Sequence, residues 1–214
     1  TLRAELVASA ESDLLVVAAA ASHLDELITK AFCPVVVVPD APARTIPDAR
    51  PHEPMPVVLA VGPSTADEVL AFAFAQASER HCGLLAVRTW NDPFASLASL
   101  VPGGTDRWDA AADVVRGELD ERLSACSVAY PEVSVSAMVV NDRCAELLVE
   151  LARRAQLIVL GAPARGRALN AIARSPALAL AHNVPCAVAV VPVPAPIPRS
   201  WLPSRPVGLA DLST

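Results

Sequence analysis

Hydrophobic and polar positions in this chain alternate between two kinds of run. Short, nearly unbroken apolar runs occur at Leu14–Val17, Val35–Pro39, Pro56–Val61, Gly83–Trp90, Leu157–Ala162 and Ala187–Pro192. Runs of this length and continuity predict strands buried on both faces, as in a parallel sheet. Between them lie longer stretches with helical spacing. Thr65 and Glu68 predict a capping box that opens a helix to about Ser78. Arg107–Cys126 predicts a helix with Val114, Val115, Leu119 and Leu123 on one side, and Asn141 or Asp142 caps a helix running to Ala155. Glu132–Val140 alternates enough for a strand nearer the sheet edge. Strands alternating with helices predict an α/β fold, a doubly wound parallel five-stranded sheet with right-handed crossovers.

The closing pattern occurs twice. Leu14–Val17 lines up with Leu157–Leu160, Ser22 with Ser175, Cys33 with Cys186, and Val35–Pro39 with Val188–Pro192. The first match is offset by 143 positions and the later ones by 153, so ten residues are missing from the first copy, on its loop. An internal repeat of this kind predicts two related units. The organisation that follows is 1–41 as the last part of a first unit, 42–55 as a Pro-rich linker, 56–194 as a complete unit and 195–214 as a Pro-rich tail. The linker carries Pro42, Pro47, Pro51 and Pro54 and reads as extended and fairly stiff. The tail is read either as disordered or as an arm docked on protein through Ile197, Trp201, Leu202 and Leu209. Pairing of 186–192 with 34–39, or with a symmetry mate, is expected because both are short, apolar and terminal in their units.

Composition narrows the function classes. The chain has 214 residues, 53% of them hydrophobic, yet no uncharged apolar run approaches the roughly 18–20 residues of a membrane span. No signal peptide is visible, a cytoplasmic location is expected, and a first residue other than Met suggests that the true N-terminus lies upstream. The five cysteines are scattered without a C-x-x-C and read as small core residues in a reducing compartment. The four histidines lack metal spacing and read as surface or capping residues. A net charge of −6 disfavours non-specific nucleic-acid binding. Its distribution is uneven. Leu151–Ala210 holds seven arginines and no Asp or Glu, and three of them, Arg165, Arg167 and Arg174, fall between Leu160 and Ser175. The plain reading is a solvated basic face; the sharper one is an anion site on that loop. Ser175-Pro176 reads as a helix start, and a loop entering a helix from the carboxyl end of a parallel strand is where α/β folds hold phosphates. No paired acids, Ser elbow or Cys/His pair marks an enzyme, and no catalytic or metal-binding residue is assigned.

These residues resemble the universal stress protein family. The resemblance rests on PVVLAVGPS, LLAVRTW, MVVNDRCAELL and LIVLGAPARGRALNAIARSPALALAHNVPCAVAVVP. It covers 56–194 as a full domain and 1–41 as the last third of another, as in tandem members. It implies self-association through the last strand, as a dimer or as an intramolecular pseudo-dimer. It also implies an adenine-nucleotide site built from Gly-x-x-Gly, nine residues, then Gly-Ser or Gly-Thr. Here Gly161 holds the first position, Ala164 replaces the second Gly, Arg174 replaces the third, and Ser175 keeps the hydroxyl; Arg165 and Gly166 lie in the spacer. Gly62 stands where the family places an Asp. Val87 and Val139 complete the implied nucleotide contacts. The expectation is a regulatory or interaction module with a degenerate site and no cofactor, or only weak ATP or AMP. The alternative is a working sensor in which Arg174 bonds a phosphate.

Overall fold

A computed structural model of the chain describes residues 5, 8–10, 12–40, 54–89, 104–140, 144–162, 180–182 and 185–192. Seven strands are present among them: β1 (Leu15–Ala18), β2 (Val35–Val38), β3 (Val57–Val61), β4 (Leu84–Thr89), β5 (Val135–Val140), β6 (Leu157–Gly161) and β7 (Ala187–Val191). They form one sheet in the order β1-β2-β7-β6-β3-β4-β5. Neighbours are parallel throughout, except that β2 and β7 run antiparallel. The five strands β7-β6-β3-β4-β5 are the expected doubly wound parallel sheet. It does not end at β7, because β2 and β1 extend it to seven strands.

Helices cover both faces, which is why the central strands are apolar at nearly every position. All five residues of β3 are buried. One layer holds α1 (Leu24–Lys30) and α4 (Cys144–Leu151), the latter continued by a 3-10 turn at Ala152–Arg154. It packs Leu24, Ile28 and Leu148 with Val58, Ile158 and Val188. The opposite layer holds α2 (Asp67–Glu79) and α3 (Gly104–Ser127). It packs Val69, Phe72, Leu119 and Leu123 with Leu59, Val159 and Ala189.

The two segments aligned in the sequence pair their strands in the same register. Leu15 faces Val35 and Val17 faces Val37. The aligned residues do the same: Ile158 faces Val188 and Leu160 faces Val190. The bonds just past the strands match as well. Ala19 N donates to Val38 O at 2.9 Å, and Ala162 N donates to Val191 O at 2.7 Å. The expected pairing of 186–192 with 34–39 is formed within the chain, Val35 opposite Val190 and Val37 opposite Val188.

Several local expectations are corrected. Thr65 and Glu68 form no capping box. The N-cap of α2 is Ala66, without a side-chain bond, because the Thr65 hydroxyl turns back and accepts from Gly62 N at 2.7 Å. On α3, Leu119 and Leu123 are buried but Val114 faces solvent; its position is rotated off the packed stripe. The helix also starts three residues earlier than expected and ends at Ser127. The helix expected to reach Ala155 keeps α geometry only to Leu151 and then tightens. At α1 the N-cap position is His23, one of the two uses expected for the histidines, in left-handed geometry (φ 68°) and with no side-chain bond. The proposed caps Asn141 and Asp142, the linker up to residue 53 and the tail lie outside the described residues.

Candidate functional site

The chain leaves β3 for β4 and β5 on one side and returns through β6 and β7 on the other. That reversal makes the carboxyl ends of β3 and β6 the switch point, where ligands bind in open α/β sheets. Paired register between these strands runs from Val57↔Leu157 to Leu59↔Val159, two residues short of both strand ends. Gly62 and Gly161 sit at those ends.

The turn after β3 is closed from both directions. Thr65 N donates to Gly62 O at 3.2 Å, and Gly62 N donates to the Thr65 hydroxyl. Arg122 on α3 holds the same turn, donating to Thr65 O at 2.5 Å and to Asp67 Oδ1 at 2.7 Å. Neither Gly62 nor Gly161 needs to be glycine for steric reasons. A Cβ at Gly62 meets only Thr65 Oγ1 at 3.5 Å, and one at Gly161 meets Val69 Cγ2 at 3.6 Å, both ordinary contacts.

The other expected contacts are less concentrated. Val87 is buried in β4, level with Ala60, on the α1/α4 side of the sheet. Val139 lies in β5, level with Arg88, and packs on the α2/α3 side. The sheet therefore separates these two side chains. Ala164, Arg165, Gly166, Arg174 and Ser175, the phosphate-loop residues, lie outside the described residues.

Sequence reading missed Arg88. It stands in the apolar LLAVRT strand, level with Val61 and one position short of the strand's carboxyl end. Its side chain is only 12% exposed, its ion pair with Glu118 spans 3.7 Å, and its buried Nε has no hydrogen-bond partner among the described residues. A single Arg inside an apolar strand run was the available signal.

Elsewhere the chemistry is quiet. Burial raises the thiols of Cys33, Cys82 and Cys126, and pushes that of Cys186 up to about 12. These cysteines are free thiols, and Cys33, Cys82 and Cys186 are core residues as expected. Among the described residues no group of three His, Cys, Asp or Glu is placed to hold a metal. A cavity of about 580 Å³, lined in part by Ser78, His81, Cys82 and Glu132, opens at the amino ends of β3, β4 and β5, away from the switch point. No helix among the described residues is long and apolar enough to cross a membrane.

The fold defines a doubly wound α/β protein with its crevice at β3 and β6. The model of the Universal stress protein family matches residues 55–192, and the chain belongs to that family. It is 35% identical over 142 residues to Universal stress protein Rv2623 of Mycobacterium tuberculosis, covering 65% of this chain and 44% of that protein. It is 36% identical over 166 residues to Universal stress protein Rv2005c of the same species, covering 76% of this chain and 53% of that protein. The chain thus matches about half the length of these relatives. Among solved structures, a universal stress protein from Archaeoglobus fulgidus superposes with a TM-score of 0.55 at 13% identity, over 87% of this chain and 63% of that one.

Proposed function

We propose that the chain is a regulatory or interaction module of this family, with its adenine-nucleotide site at the β3–β6 switch point decayed and no catalytic role. The observation that carries this reading is Gly62. It stands at the strand end where an acidic residue is expected, and its amide is already bonded to Thr65. Space alone does not exclude a side chain there. The loss of the second and third motif glycines, at Ala164 and Arg174, supports the same reading. A methyl group at Ala164 obstructs close approach of a phosphate and penalises positive φ by about 1 kcal/mol or more.

In this reading the chain carries the closing part of one universal-stress unit and the whole of another. The β2–β7 seam takes the role that self-association through the last strand would otherwise have. The Pro-rich tail is an arm for a protein partner, and the site of action is cytoplasmic. Calorimetric titration with magnesium-ATP and with AMP tests the nucleotide reading. Binding weaker than micromolar is expected. Clear saturation at low micromolar nucleotide overturns decay and establishes the alternative, a working sensor with an Arg-modified phosphate loop.

A further inference from the structure

Matching positions of the two strand pairs are covered very differently. In β6 and β7, Leu157 is 1% exposed, Val159 0% and Val191 1%. The aligned residues before and within β1 and β2 are Leu14 at 36%, Val16 at 60% and Val38 at 41%. Their buried counterparts owe their cover to two elements. β3 pairs along β6, and α2 lies over Val159, Ala189 and Val191. On the opposite face both strand pairs are covered: Leu15, Val17, Val35 and Val37 pack with α1.

The edge of β1 is open in the same sense. Leu15 N donates to Pro34 O and Ala19 N to Val38 O, so alternation turns the amide and carbonyl of Val16 and the amide of Ala18 away from β2, while the Ala18 carbonyl accepts from Ala21 N at 3.0 Å. Among the described residues β1 pairs only with β2. Apolar side chains standing on a strand with an unpaired edge form a template for an added strand.

We propose that the outer edge of β1 and the Val16–Val38 face bind a strand–helix segment of the β3–α2 pattern. Its strand is apolar and runs parallel to β1, bonding Val16 as β3 meets the counterpart Val159, and its helix lays an apolar stripe over Val16, Val36 and Val38. The occupant is read from the second strand pair, where β3 pairs along Leu157–Val159, the counterparts of Leu14–Val16, and α2 covers Val159, Ala189 and Val191. The requirements are specific. The strand enters parallel, and the helix must present small and branched apolar residues like Val69, Leu70 and Ala73, which are buried in α2. This inference does not depend on whether nucleotide binds at β3 and β6.

The test supplies the segment in cis, where tethering gives a high effective concentration. A copy of residues 54–82 is joined ahead of Thr1 of the full chain through a flexible Gly/Ser linker. Amide hydrogen exchange is then compared with that of the chain alone. The amide of Val16 should exchange at least about tenfold more slowly in the fusion. Val16→Lys with Val38→Lys should abolish that protection while leaving exchange in β3, β4 and β6 unchanged. Both positions are exposed, so the variants keep their fold. Equal exchange at Val16 with and without the added segment overturns the proposal. So does protection that survives the double substitution. If the chain alone sediments as a dimer with Val16 already protected, and the substitutions release it, the occupant is a second copy and the assignment is wrong.

Discussion

Val36 lies opposite Ala189 at the centre of the β2–β7 seam, and these two residues are also each other's counterparts in the repeat. The pairs on either side exchange roles. Val35 faces Val190 and Val37 faces Val188, while Val35 aligns with Val188 and Val37 with Val190. The seam therefore obeys the rule of an isologous interface, in which residue i meets j and j meets i, within one polypeptide. An approximate two-fold axis passes between Val36 and Ala189. It explains why this one contact is antiparallel in an otherwise parallel sheet.

Substituting Val190 by Lys should be severe. The residue is buried in the seam and an unpaired ammonium there has no compensating partner. We expect a loss of about 3 kcal/mol or more and a melting temperature lower by at least about 6 °C. Val16→Lys, on the exposed part of β1, should change stability by less than about 0.5 kcal/mol. Chemical denaturation of both variants checks the contrast, and comparable losses would show that the seam is not the mechanical junction described.

Arg88→Met should be close to neutral or stabilising. The guanidinium is mostly buried, its ion pair is long and its Nε has no hydrogen-bond partner among the described residues, so its desolvation is poorly compensated there. Arg122→Met should cost about 1 kcal/mol, chiefly from the lost bond to Thr65 O, because the Asp67 pair is exposed and adds little. Urea denaturation separates the two. A loss above about 2 kcal/mol on removing Arg88 would contradict its isolation.

Gly62→Asp should fold normally, within about 1 kcal/mol of the parent, since its Cβ meets only an ordinary contact. Alone it should not create tight nucleotide binding. Combined with Ala164→Gly and Arg174→Gly it should raise the affinity for magnesium-ATP measurably by calorimetry. No gain in the triple variant would show that the pocket has been lost beyond these three positions.

The order of strands and helices was legible because each buried strand is a continuous apolar run and each copy of the repeat carries the same VVVVP-like ending. Register followed from that repetition. Details set by competition between nearby hydrogen bonds were not legible. Thr65 had two acceptable uses, capping the next helix or closing the turn on Gly62, and the sequence motif is the same for both. Val114 was misplaced because α3 carries several apolar residues and only packing selects which stripe turns inward. Arg88 was missed because an apolar strand pattern does not reveal how an embedded charge is satisfied. At the site itself, Gly62 and Gly161 fall where strand ends placed them, while the facing of Val87 and Val139 depends on strand parity that the implied contacts did not consider.

Alkaline pH should expose the two matching cysteines, Cys33 and Cys186, which precede β2 and β7. Both thiols are buried and raised by burial, Cys186 from 9.0 to about 12. The folded state therefore keeps its proton where the unfolded chain has lost it. This contribution is fully present below pH 9 and is lost as pH rises from 9 toward 12. The slope is at most about 1.4 kcal/mol per pH unit for Cys186. Urea denaturation between pH 8 and 10.5 should show stability falling, and Cys33→Ala with Cys186→Ala should flatten the decline. Tyr130, whose phenol is also raised by burial, contributes with the same sign at higher pH, so some slope should remain. Alkylation by iodoacetamide at pH 8 should be slow at both thiols until denaturant is added. Rapid modification in the folded state, or an unchanged slope in the double alanine variant, would show that these thiols are not held neutral by the core.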